Sequence, residues 1–85
     1  MDINRLNGLP VGVQGEHGVR VRNTDPGAMA AVSALQAALL RQPGVREDFG
    51  PDYLLKMPGR QTVTSAYLVN MHQNHVHAAT RGLRP

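Results

Sequence analysis

Three of the four histidines of this chain sit close together, His72-x-x-His75-x-His77. Imidazole is the side chain best suited both to proton transfer near neutral pH and to metal ligation. The surrounding stretch, Thr62 to Leu83, repeats apolar residues at spacings of three, four and seven, which predicts a helix over 62–81 with Gly82 as its stop. On such a helix His72 and His75 are separated by about 60° and share a side, whereas His77 lies about 140° from His72. Zinc would then need one or two further ligands, drawn from His17, Glu47, Asp52 or a second subunit, because the chain has no cysteine. Gln73 and Asn74 occupy the positions between the histidines, where helical metalloproteases carry a glutamate base. The expectation is therefore no metal and no cofactor, with the histidines serving as contact or surface groups.

His72 falls in the apolar sector of that expected helix, with Leu68, Val69, Val76, Ala79 and Leu83. There it reads as a partly buried imidazole bonded to a neighbour. An interface containing it would weaken on acidification between about pH 5 and 7.

No other group of residues forms a catalytic pattern. Ser33 and Ser65 lie within helical patterns, no Gly-x-Ser-x-Gly occurs, and Glu47-Asp48 reads as an adjacent, solvated pair. Asp48-Phe49-Gly50 matches the metal-binding triplet of kinases, but 85 residues leave no room for a nucleotide-binding lobe. These observations predict a protein that is not an enzyme.

The composition gives a formal net charge of +3, from eight arginines and one lysine spread along the chain against six acidic residues. Only Arg20/Arg22 and Arg81/Arg84 come in pairs, a weak footprint for a nucleic acid, whose affinity grows with the phosphates neutralised together. Phe49, Tyr53 and Tyr67 are too few for a base-stacking platform. No apolar run reaches the length of a membrane span, and Met1 to Asn7 contains no apolar core of a secretory signal. The expected location is cytoplasmic, or exported without a cleavable signal peptide.

The elements that would position these residues read as mainly α. Thr24 or Asp25 caps a first helix, Pro26 suits its first turn, and Pro43-Gly44 ends it, giving a helix over about 26–42 with a stripe of Ala28, Val32, Leu35 and Leu39. The segment 45–60 reads as a Pro/Gly-bounded connector with one helical turn near Tyr53 to Met57. The two helices are expected to pack as a helical hairpin or across subunits, forming a helical domain over 26–85. Residues 1–25 read as a glycine-rich arm that is either flexible or docked on a partner, or a β-hairpin in which Val11-Gly-Val13 and Val19-Arg-Val-Arg22 alternate with valines on one face and Arg20 and Arg22 on the other.

Two helices offer each other a single interface and leave Tyr67, Met71 and Leu40 without an intramolecular partner. The sequence thus points to a small protein–protein interaction or assembly subunit, with itself or another protein as partner. Its expected partner contacts are Tyr67, Met71, His72 and His75. In layout it is similar to small subunits of helical appendages and virions, with no motif that singles out one family. The alternative is a DNA-binding dimer: a strand followed by two helices resembles in outline the ribbon-helix-helix proteins, and that resemblance implies Arg20 and Arg22 facing the bases.

Overall fold

The computed structural model describes residues 1–80. Five short strands precede the principal helix: β1 (Asp2–Ile3), β2 (Arg5–Leu6), β3 (Leu9–Pro10), β4 (Gly12–Gln14) and β5 (Arg20–Arg22). Asn7 and Gly8 join β2 to β3 with φ of 52° and 79°. Positive φ at both central residues is the geometry of the tightest hairpin turns, and Asn-Gly is the pair that adopts it most readily. β4 and β5 form a second hairpin, with Gly12 opposite Arg22, Val13 opposite Val21 and Gln14 opposite Arg20.

Helix α1 (Pro26–Leu40) starts where its cap dictates. Asp25 Oδ1 accepts from the amides of Gly27 at 2.9 Å and Ala28 at 3.2 Å, and Pro26 stands at a position whose missing N–H costs nothing. After it come β6 (Val45–Phe49), β7 (Leu54–Lys56), β8 (Gln61–Thr62), the short helix α2 (Ala66–Met71) and β9 (Val76–Thr80). β1, β9, β6, β7 and β8 lie side by side in that order, each pair antiparallel. Val76 and Ala78 of β9 turn to the α1 side and join Val32, Leu39, Val45 and Val11 in the core. Phe49 and His77 face each other across β6 and β9 on the opposite side.

The fold is therefore mainly β, not the mainly α helical hairpin that the sequence predicts. The first helix ends within two residues of its expected boundary, but the second is confined to 66–71. Ser65 Oγ caps α2 at Leu68 N, 3.4 Å away, and the helix stops at His72. Beyond it, Asn74, His75, Val76 and His77 are all mediocre helix formers. Val76 to Thr80 instead satisfies its backbone against β6 and β1. The Val76-His-Ala-Ala-Thr80 segment thus follows the strand period of two, not the helical period. The segment read as a connector likewise supplies β6 and β7 in place of a helical turn. The remaining expectations at 81–85, including Leu83 as a packing residue, Gly82 as a helix stop and the Arg81/Arg84 pair, lie outside the described residues.

Candidate functional site: a histidine cluster beside an outward-facing valine hairpin

Because residues 72–77 leave the helix and enter a strand, the helical argument that sets His77 apart from His72 no longer applies. The three rings form one cluster, with His72 and His77 against Phe49 and His75 against His72. His72 lies edge-on to Phe49 at 5.2 Å between ring centres, His77 lies 5.8 Å from Phe49, and His72 stands 4.8 Å from His75 and 5.7 Å from His77. His72 is buried, at 7% exposure, so it presents little surface to a partner.

Each imidazole is held by a different contact. His72 Nδ1 is 2.7 Å from the Leu68 carbonyl, one turn back on α2, so it carries the proton and leaves Nε2 as an acceptor. His75 Nδ1 is 2.9 Å from Asn74 Oδ1, which gives the same tautomer. His77 is bracketed by two carboxylates, with Nδ1 2.7 Å from Asp2 Oδ1 and Nε2 3.0 Å from Glu47 Oε1. The two contacts are both hydrogen bonds only when both ring nitrogens carry protons. The His77 hydrogen bond is the main cause that lowers the Asp2 carboxyl below its ordinary value. Burial, followed by the neighbouring His72, lowers the His75 imidazole.

Ser33 donates to Asp52 Oδ2 at 2.8 Å and Ser65 caps α2, so neither hydroxyl is paired with an imidazole. Among the described residues, no three His, Asp or Glu side chains are arranged to hold a metal ion.

Asp48-Phe49-Gly50 serves packing, each residue in its own way. Asp48 is fully buried and accepts from Gln36 Nε2 at 3.1 Å. Gln36 also donates to the Tyr53 carbonyl at 3.0 Å and accepts from the Asp52 amide at 3.0 Å. Gly50 lies against the Gln36 head group, where any Cβ would fall 2.4 Å from Oε1. Asp48 Oδ2 has no hydrogen-bond partner among the described residues, and burial pushes the Asp48 carboxyl up. Burial, with the Asp48 and Asp52 charges, raises the Tyr53 hydroxyl to about 12.

The β4–β5 hairpin is built inside out. Gly12, Gln14, Arg20 and Arg22 share one face by register. One end of that face packs inward, with Gly12 against the backbone of Gln73 and Asn74 and Arg22 reaching Asp52 at 2.9 Å, while Gln14 and Arg20 at the other end are exposed. The opposite face bears Val13 and Val21, with Val19 two residues before Val21. They are 48%, 41% and 48% exposed. Alongside β5 runs α2, whose Tyr67 is 71% exposed and whose Val69 is also exposed. Met71 is half-buried at the end of that helix.

No family model matches the chain, and neither a curated protein nor a solved structure matches it. The site has to be read from its own geometry.

Of the expected contact residues, Tyr67 is openly exposed, Met71 and His75 are half-buried, and His72 is enclosed. The ribbon-helix-helix reading loses its framework. β5 pairs with β4 of the same chain, the described residues 62–80 contain no second long helix, and Arg22 is committed to Asp52 while Arg20 remains exposed. Sequence reasoning also missed Asp2 and Glu47 as partners of His77. The signal that could have found them is strand alternation, in which Glu47, Phe49 and His77 share one sheet face.

Proposed function

We propose that this chain is a small non-enzymatic assembly subunit that associates with further copies of itself through the valine face of the β4–β5 hairpin. The observation that carries the reading is the reversal of that hairpin. At its base the hairpin is seated by Gly12 and by the Arg22–Asp52 pair, while Arg20 stays exposed and Val13, Val19 and Val21 are turned outward. Two-stranded hairpins gain independent stability only with an apolar surface to pack on. Here the available packing surface on the valine side is solvent or another molecule.

A second copy suits the patch because a symmetric dimer uses one patch twice. Val13 and Val21 form a directly opposed β-branched pair, a shape that can stack on its own image. The two-stranded sheet also has outer edges that pair with no further strand among the described residues. Such edges template pairing with another chain unless they are blunted. Exposed Tyr67 on the adjoining α2 adds an aromatic contact of the kind that anchors interfaces. No helix among the described residues is long and apolar enough to cross a membrane.

The absence of native cysteine makes the reading simple to test. A Val21→Cys variant treated with a short bis-maleimide should be captured as a covalent dimer much faster than an Arg41→Cys variant, whose thiol lies on an exposed position beyond α1. Equal, collision-limited capture of the two variants would remove the proposal.

A further inference from the structure

The histidine cluster contains two imidazoles whose free nitrogens have no assigned use. His72 and His75 each commit Nδ1 to a neutral oxygen acceptor, the Leu68 carbonyl at 2.7 Å and Asn74 Oδ1 at 2.9 Å. Each therefore keeps an Nε2 lone pair, and neither Nε2 has a hydrogen-bond partner among the described residues. Metal-ligating histidines typically donate their second ring nitrogen to just such a carbonyl or side-chain oxygen, which fixes the ring and its tautomer.

The separation of the rings also fits. With metal–nitrogen bonds of about 2.0–2.1 Å and a tetrahedral angle, two imidazoles on one ion have ring centres about 5 Å apart. The His72 and His75 centres are 4.8 Å apart, with their planes inclined by 43°. We propose that His72 and His75 form a two-imidazole site for a borderline divalent transition-metal ion, with both Nε2 atoms as ligands and water in the remaining positions.

His77 is not a third ligand, because Asp2 and Glu47 occupy both of its nitrogens. Two protein ligands leave the remaining positions of the ion to water. Imidazole donors select the zinc, nickel and copper series over magnesium or calcium, which prefer oxygen. Neutral imidazole is the ligating form. The bond from His75 to Asn74 holds its free nitrogen ready, and burial disfavours its charged state.

The test uses the full chain titrated with Zn2+ by calorimetry, and with Cu2+ by electron paramagnetic resonance. The expected result is one equivalent bound, with nitrogen hyperfine structure from two imidazoles. His75→Asn should weaken binding by more than about tenfold, the scale on which even supporting groups of metal sites act. His17→Asn, in the exposed turn that joins β4 to β5, should leave it unchanged. His75 is the main probe because it is half-buried and its replacement perturbs the core less than that of His72. Circular dichroism verifies that the variant is folded. Binding that survives in folded His75→Asn, that disappears in His17→Asn, or that shows a single nitrogen ligand would overturn the proposal. No detectable Zn2+ or Cu2+ binding to the wild-type chain would overturn it as well. None of these outcomes depends on self-association, which the cross-linking of Val21→Cys reads separately.

Discussion

Asp48→Asn raises the stability of the folded chain at neutral pH, by about 1–2 kcal/mol. This is the expected result even though the substitution removes a fully buried, hydrogen-bonded residue. Asp48 accepts from Gln36, yet its Oδ2 is buried without a partner, and Asp52 adds a like charge nearby. An asparagine keeps the acceptor for Gln36 and removes the buried charge. The sign with pH follows from the raised carboxyl. Its pKa in the folded chain lies above the ordinary 3.8, so the folded state binds more protons than the unfolded state between those two values. Stability from this group is therefore greatest below the ordinary carboxylate range and declines as pH rises through the window above it. Urea unfolding of both proteins should show the variant's advantage at pH 7 and its disappearance near pH 3. An advantage that is equal at both pH values, or a destabilised variant at pH 7, would contradict this account of the buried network.

Gly12→Ala should have the largest disruptive effect of any single methyl added to the hairpin. A Cβ at Gly12 would stand 2.5 Å from both Asn74 Cα and the Gln73 carbonyl, and 2.8 Å from Asn74 Cβ. Two of these three atoms are backbone, so no side-chain rotation relieves the contact. The hairpin must lift from the 73–74 segment, straining the Arg22–Asp52 pair and the loop that carries His75. Overpacking of this kind costs about 1–3 kcal/mol and occasionally more. Gly59→Ala is the matched control, since its Cβ would meet only Gln61 Cγ at an ordinary 3.8 Å. Amide exchange at Val13 and Val21 should accelerate in Gly12→Ala and remain unchanged in Gly59→Ala. Equal exchange in the two variants would mean that Gly12 does not seat the hairpin.

The first helix was legible in the sequence because its signals are local. Asp25 and Pro26 sit where a helix starts, and Pro43-Gly44 follows where it ends. The β4–β5 hairpin was legible as a pattern, and its valines and arginines do separate onto two faces. Which face points inward was not, because Arg22 turns in only through its pairing with Asp52, 30 residues along the chain. The second expected helix failed for a different reason. Leu68, Val69, His72, Val76 and Ala79 fit a helical stripe, but Val76, His77 and Ala78 equally fit a strand, and pairing with β6 and β1 decides between them. β6 itself is hidden by Arg46, Glu47 and Asp48, three charged residues in a strand of the central sheet. Asp48 finds Gln36 and Glu47 finds His77, partners that only the folded chain supplies. The Asn7-Gly8 turn is a local hairpin signal that glycine content alone obscures.

These corrections change what the histidines mean. On a helix they would divide between two directions; on a helix end followed by a strand they form one cluster around His72, beside Phe49 and two carboxylates. They also move the surface for a partner from the expected helix face to the hairpin, where exposed valines stand over an inward charge. The central claim is that this valine face joins copies of the chain. Light scattering after size exclusion, run at two protein concentrations on the wild type and on the Val13→Thr, Val21→Thr double variant, tests it most directly. The account predicts a wild-type mass above that of the monomer that rises with concentration, and a folded, monomeric double variant. A wild-type chain that is a folded monomer at both concentrations would contradict it.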